Sequence, residues 1–201
     1  MSSWDAGSLG PPTLPVEVEL YTVGFRVSGT MSTRFRKATD ILNLSGSDHL
    51  AVDQATVTEY ADQGAARGGQ QVRVAISEIL FGISSGAPDD DNEFQVQKRP
   101  VKIQVGMAPF WLTGMFHVPE ASQAMDGLMN VSDRFVPLTD VAVSCAAYPA
   151  VDGTADVVAV HRALAHVFLI ADDREHDNLL ADILPEEEVR GWIPPPMEDN
   201  P

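Results

Sequence analysis

The chain has 201 residues, 44% of them hydrophobic and 21% charged, a balance that suits a folded domain or two small ones and excludes a disordered chain. Its formal net charge is −16, and the stretch from Asp172 to Pro201 supplies half of it, with ten acids against two bases. Such a charge repels phosphate backbones and anionic membrane surfaces, so neither nucleic acid nor membrane insertion is expected.

Residues 1–14 are rich in Gly, Pro and Ser, carry Trp4, and read as an N-terminal extension. They lack the basic and apolar regions of a signal peptide, and no apolar run approaches the about 18 residues of a membrane span, so a cytoplasmic protein is expected. Residues 15–83 and 100–171 match each other and read as two copies of one β unit. Pro15-Val-Glu-Val-Glu-Leu20 lies over Pro100-Val-Lys-Ile-Gln-Val105, and in both the apolar residues alternate as in a half-buried strand. A turn at Val23-Gly24 or Ala108-Pro109 leads to a second strand, Phe25-Arg-Val-Ser-Gly29-Thr-Met31 over Phe110-Trp-Leu-Thr-Gly114-Met-Phe116. The glycines Gly29 and Gly114 mark a bulge or sharp bend.

A short helix follows, Arg36 to Asn43 in copy one and from Pro119 to Met129 in copy two, with Asp40 and Leu42 matched by Asp126 and Leu128. Asp48 to Val57 falls on Arg134 to Val143 as a third strand. The stretch Asp62 to Gln71, matched by Ala146 to Thr154, reads as the loop before a fourth. At the end of each copy Val74 is set over Val158 and Phe81 over Phe168, leaving Ala163 to Ala165 as extra residues. Val157 to Ile170 reads as a hairpin by that match, with a helix as the alternative. Residues 84–99, with Ser, Gly, Pro and Asp, form the linker. The fold expected is mainly β with short helices: a tandem duplication of a small SH3-like or Sm-like barrel or roll, each copy having about five strands and one helix.

Residues 172–201 form an acidic tail. Leu179, Leu180, Ile183 and Leu184 share one helical stripe ended by Pro185, and Trp192 and Ile193 precede a proline run. This pattern reads either as a docking peptide, with Trp4 as a second anchor, or as a helix packed on its own barrels.

The order strand, Phe-x-x-x-Gly, Ala-x-Asp-x-Leu-Asn, Phe-Val-Pro-Leu-Thr-Asp, apolar strand resembles a bacterial family of small β-rich domains. Its pattern runs Gly-x-Leu, Leu-Ser-Asp-Phe-Leu-Asn, Phe-x-x-Leu-Thr-Asp. Gly29, Asp40, Leu42 and Asn43 carry the resemblance in copy one, and Gly114, Asp126, Leu128, Phe135, Leu138, Thr139 and Asp140 in copy two. Copy one departs at Leu50-Ala-Val-Asp-Gln-Ala, and copy two displaces Asn130 by one place. The family has no assigned activity, so the resemblance implies a fold and no reaction.

Catalytic and metal chemistry find little support. One cysteine, Cys145, allows no intramolecular disulfide and no Cys-based zinc site, and it lies on an apolar strand as a small buried residue. His161 and His166 stand five apart, which suits no shared ligand face on a helix or a strand, and solvated or locally bonded histidines are expected. Asp89 to Glu93 lacks the spacing of a calcium loop, and no nucleophile elbow or phosphate loop is present. Asp40 and Asp126 read as helix-surface or capping residues, not as a carboxylate pair. The expectation is a non-catalytic interaction module without cofactor, a homo-oligomer or an accessory subunit of a larger complex. The alternative is a module that binds a small ligand or signalling nucleotide between the copies.

Overall fold

The structure, a computed structural model, describes residues 12–62, 65–86, 97–120 and 122–170. In the first half β1 (Leu14–Tyr21) and β2 (Phe25–Thr33) form a hairpin, followed by α1 (Ala38–Asn43), β3 (His49–Glu59), β4 (Ala66–Ala75), a 3-10 turn (Ile76–Glu78) and β5 (Phe81–Ser84). The second half runs β6 (Lys98–Met107), β7 (Phe110–Pro119), α2 (Ala124–Met129), β8 (Phe135–Ser144), β9 (Gly153–His161), a 3-10 turn (Arg162–Leu164) and β10 (Val167–Ile170). An extra 3-10 turn, Pro149–Val151, joins β8 to β9.

The ten described strands make one antiparallel sheet in the order β10-β6-β7-β8-β9-β5-β1-β2-β3-β4. Each half uses the same internal order, and the halves meet where β5 pairs with β9. The described strands do not close the sheet, which corrects the barrel form of the expected barrel or roll. The edge of β5 that could have met β4 is occupied by β9, and β4 and β10 are left as the two ends. Two hydrophobic clusters lie along it, one centred on each half.

Register is shared in detail. Val18 faces Gly29 as Ile103 faces Gly114, and Thr56 faces Gly68 as Ala142 faces Thr154. The β2–β3 ladder slips between Ser28 and Thr30, and the β7–β8 ladder slips between Thr113 and Met115. Opposite each slip stands a residue with positive φ, Gln54 at 49° and Asp140 at 52°. The bulge expected at the two glycines is therefore present in both halves, and it has a steric cause. A Cβ on Gly29 would lie 2.7 Å from Asp53 O and from Val52 Cγ1, and one on Gly114 would lie 2.9 Å from Val141 Cγ2 and 3.0 Å from Thr139 O. Leu42 and Leu128, buried at 2% and 0% exposure, anchor the equivalent helices.

The ends of the halves differ from the sequence expectation. Leu50 faces Val74 as Val136 faces Val160, so Val74 corresponds to Val160 and not to Val158. Tyr21 faces Phe81 as Gly106 faces Val167, so Phe81 corresponds to Val167 and not to Phe168. Residues Ala163 to Ala165 are not an insertion, because the turn Arg162–Leu164 is the counterpart of Ile76–Glu78. At Val74 the difference is two residues, which keeps the same face inward in an alternating strand, so hydrophobic pattern alone does not resolve it; at Phe81 it is one residue, which reverses the faces, and the unbroken apolar run Val167-Phe-Leu-Ile170 carries no alternation to reveal that. Val157 to Ile170 is neither hairpin nor helix: β9 pairs with β8 and β5, whereas β10 pairs with β6. Ala66 to Gln71, expected as loop, belongs to β4, since ladder pairing of Gly68 and Gly69 with Thr56 and Ala55 needs no side chain. In the second half the helix begins at Ala124, and Pro119 closes β7 instead of opening it.

Candidate functional site

The sequence folds so that the densest cluster of aromatic side chains lies at the junction of the halves. Phe110, at the start of β7, sits edge-on to Tyr21, Phe81 and Tyr60 of the first half, with ring centroids 5.9, 5.1 and 5.6 Å away. Tyr21 and Phe81 stack at 4.3 Å. Such offset and edge-to-face geometry adds attraction beyond burial. Burial raises the pKa of both Tyr21 and Tyr60, so both stay protonated throughout the physiological range.

Beside this cluster Arg26 forms a two-pronged ion pair with Glu19, at 2.8 and 3.2 Å, and the Tyr21 hydroxyl donates to Glu19 Oε2 at 2.8 Å. Burial alone would raise the Glu19 pKa, but the hydrogen bonds from Arg26 and Tyr21 outweigh it and hold the carboxyl below its usual value. These groups line a cleft of about 280 Å³ that also takes in Asp152 and Thr154 of the second half.

Main-chain recognition holds the junction as well. His161 N–H donates to Leu80 O at 2.8 Å, continuing the β5–β9 ladder. The Asn43 side chain clamps Phe135: its Nδ2 donates to Phe135 O and its Oδ1 accepts from Phe135 N–H, both at 2.8 Å. Phe135 is fully buried, so Asn43→Leu strands a buried donor and a buried acceptor. The expected loss is about 2–3 kcal/mol, read as a lower urea midpoint with an unchanged slope.

His161 is buried at 6% exposure against the Phe135 ring, and its Nδ1 has no partner among the described residues. It is neither solvated nor locally bonded at that atom, contrary to expectation, because β5 and α1 cover the end of β9. Burial, and then the nearby Arg134, push its pKa below 6.5. The neutral form is therefore favoured on folding, and the associated stability is present above about pH 6.5 and falls as pH drops through the folded-state value. His161→Gln is expected to flatten the fall in thermal midpoint between about pH 7.5 and about pH 5. An equal fall in both proteins would remove His161 as its source.

A larger cleft, about 810 Å³, runs between α1 and the second half. Lys37, Lys98 and His117 share it with Asp40, Glu120 and Asp133, and His117 Nε2 lies 2.9 Å from Thr139 Oγ1. Asp126 lines a different, smaller cleft, so Asp40 and Asp126 do not form a pair. Cys145 is buried. Among the described residues no group of three His, Cys, Asp or Glu side chains is placed to hold a metal ion, and no helix is long and apolar enough to cross a membrane. The docking residues expected from the sequence, Trp4, Leu179, Leu180, Ile183, Leu184, Trp192 and Ile193, lie outside the described residues.

Sequence reasoning missed Phe110, Tyr60 and the Asn43 clamp. A signal was available for the clamp, since Asn43 corresponds to Met129 and the halves diverge there; Phe110 corresponds to Phe25, so divergence does not mark it. Comparison with family models, curated proteins and solved structures finds no match for this chain.

Proposed function

We propose that this protein is a non-catalytic interaction module, assembling with itself or serving as an accessory subunit of a larger complex through its sheet edges and terminal segments. One observation carries this reading. The halves are joined edge to edge by strand pairing, and among the described residues the same sheet then stops at two strands, β4 and β10, each with one unpaired side. Exposed edges of this kind recruit further strands unless they are blocked. The shared strand order, bulge and register support reading the halves as a tandem duplication of one small unit of SH3-like or Sm-like size. The acidic charge and single cysteine fit a cytoplasmic setting.

The test is light scattering of the full chain and of a chain ending at Ala171, with analysis of proteins that co-purify from the native host. A multimer or a stoichiometric companion is expected. Monomers throughout, without a companion, would overturn the reading.

The cleft between α1 and the second half favours a second reading, a binding site for a small polar ligand such as a signalling nucleotide. A ligand present at about 100 times its dissociation constant adds about 2.7 kcal/mol of stability. A thermal-shift screen of nucleotides is expected to find such a gain, and a flat screen removes this reading.

A further inference from the structure

The junction inside the chain sets two different surfaces against each other. At that junction the first half presents β5, α1 and the Tyr21–Phe81 pair, and the second half presents β9, β8 and the Phe110 knob. The shared register supplies the counterparts. The second half has β10, α2 and the pair Gly106–Val167 where the first has β5, α1 and Tyr21–Phe81, and the first half has β4, β3 and Phe25 where the second has β9, β8 and Phe110. Inside the chain each surface covers the other. At the two ends of the sheet no described residue covers their counterparts.

Burial records that difference. Ala38 and Ile41 of α1 are buried, but their counterparts Ala124 and Gly127 of α2 are only half-buried, and Met125 and Met129 are exposed. Phe81 is fully buried, and Val167 is 40% exposed. Phe110 is 1% exposed, and Phe25 is 44% exposed. Trp111 lies over Gly106, its ring 3.0 Å from where a Cβ would be, and so supplies the aromatic surface that Tyr21 supplies in the first half. Gly106, Trp111, His166 and Val167 border an open, mainly apolar cleft of about 260 Å³, at the position that Phe110 fills in the other half. Among the described residues the sheet thus carries an exposed knob, Phe25, at one end and an open hole at the other.

We propose that a second copy of this chain fills that hole. β10 of one copy pairs with β4 of the next in the register of β5 with β9, and Phe25 of the next copy enters the cleft beside Trp111. Val167 then faces Val74, and Phe168 faces Arg73, where the internal junction has Phe81 facing Val160 and Gly82 facing Ala159. The exchange of two small residues for an aromatic and a cation keeps the opposed pair attractive. α2 comes to lie over β4, bringing the Asp126 carboxylate to the face that carries Arg73. The contact is heterologous, so repeated association closes into a ring or continues as a filament.

This inference rests on the assembly reading, and its test separates the two. Ile76 N–H donates to Asp48 O, so the neighbouring Ala75 N–H points away from β3 to the open edge. It is the counterpart of the His161 N–H that bonds Leu80 at the internal junction. The φ of Ala75 is −65°, the value proline imposes, so Ala75→Pro removes this donor without straining the chain. Trp111→Ser damages the hole at the opposite end. Light scattering over a concentration series is expected to show association of the full chain, and each variant is expected to weaken it by at least about tenfold. Mixing the two variants leaves one intact knob edge and one intact hole edge, which is expected to yield a one-to-one dimer and nothing larger. Circular dichroism establishes that each variant keeps its fold. Association that survives both folded variants overturns the head-to-tail contact and leaves the assembly reading standing. A monomeric full chain that carries a stoichiometric companion also overturns the contact alone, and a monomer with no companion overturns both.

Discussion

Phe110→Ala is expected to destabilise the protein by about 3–5 kcal/mol, the largest effect of any single side-chain truncation discussed for this chain. Phe110 is 1% exposed and touches three aromatic rings that belong to the other half, so its removal opens a cavity inside the core that both halves furnish. Relaxation around the cavity is limited, because Tyr21 and Phe81 are held in their own strands and stacked on each other. Phe25→Ala removes the corresponding ring from an exposed position, so it should cost the isolated chain less than about 1 kcal/mol. Chemical denaturation of both variants, measured under conditions where the chain is monomeric, checks the contrast. Similar losses for the two would mean that the aromatic junction does not organise the core.

Gly29→Ala is expected to cost about 3 kcal/mol, and Gly114→Ala about 1–2 kcal/mol. At Gly29 the new methyl meets a backbone carbonyl, Asp53 O, at 2.7 Å, and backbone in a bulge cannot retreat without breaking ladder bonds. At Gly114 the nearest atom is a side-chain methyl of Val141 at 2.9 Å, with Thr139 O at 3.0 Å, so part of the clash can be relieved. Gly153 has nothing within 4 Å of a Cβ, and Gly153→Ala is expected to be neutral or slightly stabilising. The order of the three midpoints is the measurement, and a neutral Gly29→Ala would contradict the steric account of the bulge.

Much of this fold was legible because the inward faces of the strands are simple. Val16, Val18 and Leu20 alternate with Glu17 and Glu19, and the two glycines that permit the bulge stand at matching places. The positions of α1 and α2 were legible from Asp40, Leu42, Asp126 and Leu128, with both ends of α1 within two residues, whereas Pro119, expected to open α2, ends β7 five residues earlier. What pattern could not supply was register at the ends of each half: at Val74 a slip of two keeps every side chain on its face, and at Phe81 the matching run Val167 to Ile170 is apolar throughout and does not alternate. Nor could it show that β5 takes a partner from the other half. That choice depends on Phe110 filling the space between Tyr21 and Phe81, and on Asn43 reaching Phe135, contacts between residues far apart in the chain. A ligand between the copies is the alternative that the sequence offers, and the tightest contacts at the junction are strand pairing and aromatic packing.

The two cores are not owned by the halves that surround them. Tyr21, Tyr60, Leu80 and Phe81 belong to the cluster of the second half, and Phe135 and Ala159 belong to that of the first. Each half has lent part of its interior to the other. A half cut free at the linker would expose those borrowed positions as open holes and its own donated side chains as a greasy edge. The two halves should therefore melt in a single calorimetric transition, with slow-exchanging amides on either side of the β5–β9 pairing sharing one protection ceiling. They are also bound to change together, since a substitution at Phe110 must be answered at Tyr21 or Phe81.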